Sequence, residues 1–196
     1  MLTLQVPAAS ELIALTEAKL QCRVVAPDED ELFRNTLIPA ARDRAELATR
    51  RAIGVQTYDY ILDEFDDRSD AIELPKPPLI SVDSLTYVDA TGVLQTMAPA
   101  LYLVQAPAGP RCARGLVSLA PDTVWPFTQG RRAAVTIRFT AGYTANTLPP
   151  LLKRAMLVDI GAMYENRENI AGTALPGESD RIYRSFRSYS RRKVAA

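Results

Sequence analysis

Leu74-Pro75-Lys76-Pro77-Pro78, followed by Leu79-Ile80-Ser81-Val82-Asp83-Ser84-Leu85-Thr86-Tyr87-Val88, then Asp89-Ala90-Thr91-Gly92 and Val93-Leu94-Gln95-Thr96-Met97, is the stretch that decides the fold. Three prolines in four positions (75, 77 and 78) hold the backbone extended. From Ile80 to Val88 the apolar residues alternate, with Ile80, Val82 and Leu85 turned one way, and Asp89–Gly92 has turn chemistry. Val93–Met97 then returns as a second strand, which completes a β hairpin in the middle of the chain.

The β character extends to both sides of the hairpin. Val55 to Leu62 is rich in β-formers and partly alternating. Short strands are expected at 101–105, 115–119 and 134–140, punctuated by Pro107, Gly109, Pro110, Pro121, Pro126 and Gly130. The ends of the chain have helical periodicity instead. A helix is expected over 16–24, capped by Thr16, and Pro27 stops the chain. Asp28 with Glu31 opens a long helix over 28–53, with Leu37, Ile38, Ala41, Ala45, Ala48 and Ala52 on one face. Arg42, Arg44, Arg50 and Arg51 fall largely on the other face. Pro39 should kink or divide this helix, and Gly54 suits its C-terminal end.

Leu148-Pro149-Pro150 opens the last major helix, 148–168. Leu151, Leu152, Ala155, Met156, Ile160 and Met163 form one stripe, which Leu157, Val158 and Tyr164 widen. A helix this apolar must be covered on two sides, either inside the molecule or by a second subunit. The subunit-packing candidates are Leu151, Leu152, Met156, Leu157, Ile160, Met163 and Tyr164. The fold expected is α+β: a helical core of three to four helices from 10–54 and 148–190, with a small antiparallel β lobe, 55–145, inserted into it. Residues 178–196 form a basic tail.

Composition narrows the function. The 196 residues are 47% hydrophobic and 23% charged, which is a globular balance. Lys+Arg and Asp+Glu are 23 each, so net charge asks for neither nucleic acid nor an anionic membrane. There is no histidine, which excludes Ser-His, Cys-His and His-metal chemistry. Cys22 and Cys112 lie far apart without a CxxC motif, so buried free thiols are expected. No phosphate-cradling glycine loop occurs. The first residues lack a basic n-region, and apolar runs are only a few residues long. A soluble chain made in the cytoplasm, with no membrane partner and no cofactor, is the expectation.

Two segments invite a specific function. Asp63, Glu64, Asp66, Asp67 and Asp70 could hold a hard cation and serve a metal-dependent hydrolase or nuclease. Their spacing does not fit an EF-hand, however, and a solvated loop is the simpler reading. The tail sets Arg181, Arg184, Arg187, Arg191, Arg192 and Lys193 against two acids, with Tyr183, Phe186 and Tyr189 interleaved. That pattern suits a protein interface and also suits DNA, as in an assembly factor.

The order of motifs is similar to that of the phage head-tail connector (adaptor, head completion) family. Leu15-Thr16-Glu17-Ala18-Lys19-Leu20-Gln21-Cys22-Arg23-Val24 resembles its opening helix, and Asp28-Glu29-Asp30-Glu31-Leu32 its acidic second start. Ala41-Arg42 with Glu46-Leu47-Ala48-Thr49-Arg50-Arg51-Ala52 resembles its second helix. Leu74 to Val82 resembles its link into the hairpin, and Ile137-Arg138-Phe139-Thr140-Ala141-Gly142-Tyr143 its V-x-F-T-A-G-Y strand. Leu151 to Glu168, ending Tyr164-Glu165-Asn166-Arg167-Glu168, resembles its closing helix. The resemblance covers 2–170 and departs at Cys22, Pro39, 106–130 and after 170.

The resemblance implies a structural, non-enzymatic protein of the virion's head-tail junction, assembled in the host cytoplasm. It implies a ring of about twelve copies under a portal protein, joined head-to-tail. A stopper, tail terminator or tail tube protein would sit on its tail side, and DNA would pass through with transient, non-specific contact. Portal docking would fall to Arg181, Tyr183, Arg184, Phe186, Arg187, Tyr189, Arg191 and Arg192 of the tail.

Overall fold

The computed structural model describes residues 1–65, 71–166 and 177–188. The fold is α+β: one strand opens the chain, helices follow it, seven strands occupy the middle, and two helices close the described residues. The strands are β1 (Leu2–Val6), β2 (Gln56–Leu62), β3 (Ala71–Leu74), β4 (Leu79–Val88), β5 (Leu94–Thr96), β6 (Tyr102–Gln105), β7 (Gly115–Leu119) and β8 (Val135–Ala141). They form two antiparallel sheets, ordered β1-β2-β8-β4-β5 and β3-β7-β6. The helices are α1 (Leu15–Gln21), α2 (Asp30–Leu32), α3 (Ile38–Thr49), α4 (Pro150–Glu165) and α5 (Gly177–Phe186).

β8 lies at the centre of the larger sheet and alternates as a one-sided strand should. Val135, Ile137, Phe139 and Ala141 are buried, while Arg138 points outward. On that polar face Arg138 forks onto Asp59 with two bonds of 2.8 Å. The hairpin β4–β5 turns at Asp89, whose Oδ1 accepts the Thr91 amide at 2.9 Å and the Val93 amide at 3.0 Å. These and the neighbouring side-chain bonds from Thr91 and Gln95 hold the carboxyl well below its ordinary pKa.

Two apolar clusters result. One gathers Ile13, Phe33, Leu37, Ile38, Leu148, Leu152, Met156, Ile160 and Tyr183 among the helices. The other gathers Tyr58, Leu74, Leu85, Val117, Trp125, Ile137 and Phe139 between the sheets.

Several boundaries differ from the sequence-based expectations. β1 lies where no element was expected: Leu2-Thr3-Leu4-Gln5-Val6 alternates, but a five-residue pattern is too short to distinguish from a coil. The first helix starts at Leu15, not Thr16, because the Glu17 carboxylate reaches back to the Ala14 amide at 3.2 Å. The long helix is divided: a 3-10 turn, Pro27–Glu29, leads into α2, and a π-helical turn, Phe33–Leu37, precedes α3. Pro39 sits in the first turn of α3, where its missing N–H costs nothing; the wide turn before it absorbs the break. α3 ends at Thr49, with Arg50 left-handed at φ 57°, not at Gly54. The Glu46 carboxylate terminates it by taking the Ile53 amide at 2.8 Å and the Gln56 side-chain amide at 2.5 Å.

Candidate interaction surfaces

The motif segments quoted above meet at one junction between the two apolar clusters. The Ala52 amide donates to the Pro77 carbonyl at 3.2 Å, and the Gly142 amide to the Pro78 carbonyl at 2.8 Å. The Tyr143 amide donates to the Ala52 carbonyl at 3.3 Å. The resemblance motifs are therefore structural at this point: they supply the backbone seam through which the helices and the sheet are joined.

Arg51 is buried at that seam, 3% exposed. Its Nε donates to the Phe186 carbonyl at 2.6 Å and its Nη2 to the Cys112 carbonyl at 2.9 Å. The Phe186 carbonyl ends α5, so the guanidinium sits at the negative end of a helix dipole. Tyr143 reaches the same loop, donating its hydroxyl to the Pro110 carbonyl at 2.8 Å. The Ser188 amide donates to the Thr49 carbonyl at 2.7 Å. Thus α5 and the 110–112 loop are both fastened to the end of α3.

A second network fastens α5 to α3 and α4. Asp159 of α4 is fully buried, at 0% exposure. It accepts from Arg44 and, at 2.6 Å, from the Tyr183 hydroxyl. Arg44 also reaches Asp180 at 2.6 Å and lies over the Tyr183 ring at 5.7 Å. Burial, reinforced by the Asp159 carboxylate, pushes the Tyr183 hydroxyl far above its usual pKa. Arg44 and Arg51 are therefore not members of a solvated face. The sequence signal was present in Asp159, a lone carboxylate inside the apolar stripe of α4, which needs a buried cation.

The expected interaction residues divide accordingly. Leu152, Met156 and Ile160 are fully buried within this chain and have no surface left for a neighbouring subunit. They turn inward because α1, α3 and α5 all pack on α4. Leu151 stays exposed, and Leu157, Met163 and Tyr164 are half-buried. Tyr164 stacks on Phe33 at 5.3 Å and donates to Glu29 at 2.5 Å.

In the basic segment, Tyr183 and Phe186 are core residues, not docking residues, because the segment folds as α5 with its aromatic face inward. Arg181, Arg184 and Arg187 are exposed along the opposite side. Arg111 lies over the Phe186 ring at 4.9 Å and extends this basic surface. Tyr189, Arg191 and Arg192 lie outside the described residues, as do Asp66, Asp67 and Asp70 of the acidic run. Asp63, which is described, accepts the Ala133 amide at 2.9 Å. Among the described residues no group of three or more His, Cys, Asp or Glu side chains could hold a metal, and no helix is long and apolar enough to cross a membrane.

No protein-family model matches the sequence, and no curated protein matches it. Solved structures do. A chain in the virion of the native gene transfer agent (GTA) particle superposes with a TM-score of 0.78 at 23% identity, over 97% of this chain and 96% of that one. A chain in the neck of the empty GTA particle, computed with C6 symmetry, gives 0.78 at 24% identity over the same shares. One in the neck of the native particle, computed with C12 symmetry, gives 0.75 at 24%, again over 97% and 96%. Over nearly its whole length the chain has the fold of a chain from the GTA particle.

Proposed function

We propose that the protein is a head-tail adaptor: a ring subunit, about twelve to the ring, that sits under a portal protein and joins head to tail. One observation carries this reading, the full-length likeness to chains from GTA particles, two of them from necks solved with C6 and C12 symmetry. The motif order of the sequence supports it independently. A tail-side stopper, tail terminator or tail tube protein binds the opposite end of the ring. Packaged DNA passes through, and the balanced net charge of the chain suits a conduit that must not grip its cargo.

The role is assembly, with no catalytic residues. In this reading Leu151, Leu157, Met163 and Tyr164 of α4 contribute to subunit packing. Arg181 and Arg184 of α5, with Arg187 just beyond its end, dock the portal together with Tyr189, Arg191 and Arg192. The metal-dependent hydrolase reading draws no support from the described part of the acidic loop.

Particles assembled without this protein test the proposal. DNA-filled heads and separate, unattached tails are expected. Fully tailed particles made in its absence would contradict it.

A further inference from the structure

We propose that the apolar tip of the β lobe of one copy seats in a proline-walled groove of the next copy, and that this contact joins the ring; the inference rests on the adaptor reading above. The tip is made by the turn after β4 and by the 123–129 loop. Phe127 is 85% exposed, Leu94 68%, Val93 54% and Val124 81%. These large apolar side chains are held out by a braced support. Trp125 stacks flat on Phe65, with ring centroids 4.8 Å apart and 5° between the planes. Thr128 bridges to Asp89, and the Gln129 amide donates to the Val88 carbonyl at 3.2 Å. The tip is thus fixed in shape before it meets a partner, which lowers the ordering cost of binding.

The groove lies between the start of β4, the 106–110 loop and the approach to α4. Pro78, Ile80, Pro107, Pro110, Leu148 and Pro149 contribute to its walls, and it encloses about 550 Å³. That is within the size range of cavities that take a bulky apolar group.

Three observations make a second copy the occupant. Tip and groove stand at opposite ends of β4, whose ten residues span roughly 30 Å, so one copy cannot fill its own groove. A contact between two different surfaces of the same chain is the head-to-tail kind that closes rings. The tip side chains expose on the order of 500 Å² of apolar surface, an area that marks interaction sites.

The test uses the full chain, with Cys22→Ser and Cys112→Ser, carrying Phe127→Cys together with Ala108→Cys in the groove loop. Oxidised in portal-bound rings, it is expected to give a ladder of covalent dimers, trimers and higher multimers. The pair Phe127→Cys with Arg138→Cys, on the polar sheet face, is expected to give none. In the otherwise unaltered chain, Phe127→Asp should leave the melting temperature unchanged and weaken subunit association at least tenfold. Rings that form normally but give no ladder above the control, or whose association Phe127→Asp leaves unchanged, would overturn the inference and spare the adaptor reading. So would a tip that cross-links to portal or tail protein instead. Absence of rings under every condition would remove both.

Discussion

A β-carbon added to Gly142 would lie 1.7 Å from the carbonyl oxygen of Gly54. The two glycines, φ +132° and +98°, face each other where the last strand of the large sheet passes the exit from α3. No side chain fits between these backbones, and Gly142 occupies a conformation that L-residues rarely adopt. Gly142→Ala is therefore expected to cost at least about 3 kcal/mol, well above an ordinary surface glycine substitution. Urea unfolding of the two proteins measures it. Gly109→Ala, at φ +114° but with nothing near its missing β-carbon, should cost less and serves as the comparison.

Arg51 gives the second prediction. Removing its guanidinium leaves the Phe186 and Cys112 carbonyls without their buried donor. Arg51→Met should lower stability by about 2–4 kcal/mol, because buried acceptors lose their partners. Hydrogen exchange should show the loss concentrated in α5 and in residues 110–112. Uniform loss across the chain would contradict the local role.

Tyr58, Tyr143 and Tyr183 predict the alkaline behaviour. Burial holds the hydroxyl of each above its ordinary value of 10.0. The folded chain keeps protons that the unfolded chain releases above about pH 10. The stabilisation is complete below that pH and is lost as pH rises, by up to about 1.4 kcal/mol per pH unit for each tyrosine. Tyr183→Phe should reduce the slope of stability against pH above 10 by one proton. It should also cost about 1 kcal/mol near neutrality through loss of the bond to Asp159.

Strand β8 and the last long helix were legible because each carries a clean period, whereas β4, expected to turn Ile80, Val82 and Leu85 one way, is interrupted by two register shifts and leaves Ile80 exposed while Leu85 is buried. Val135, Ile137 and Phe139 alternate, and the α4 stripe repeats at three and four. Asp89 to Gly92 announced its turn by residue type alone. What sequence could not supply was the partner of each polar group. Arg42, Arg44, Arg50 and Arg51 look alike on a helix projection, yet Arg51 and Arg44 are held in buried networks by residues more than 100 positions away. The same long-range geometry turned Tyr183 and Phe186 inward. The α3 terminus was misplaced because Glu46, not a glycine, captures the departing backbone. Pairing of β1 with β2 likewise depends on a neighbour that a five-residue pattern does not identify.

The proposed docking of α5 on a portal protein gives the fourth prediction. Arg181→Glu with Arg184→Glu changes two exposed side chains, so the melting temperature should shift by no more than a few degrees. Affinity for the portal should fall at least tenfold and become less sensitive to salt. Equal affinity and equal salt dependence would remove these arginines from the docking surface.

The most direct measurement is the mass and symmetry of the complex formed when the purified chain meets its portal, by native mass spectrometry and electron micrograph averaging. A closed ring of about twelve copies seated on the portal's tail-side face is expected. A chain that stays monomeric and never joins the portal would contradict it. A monomer in the absence of portal would not, since the ring can form on the portal as a template.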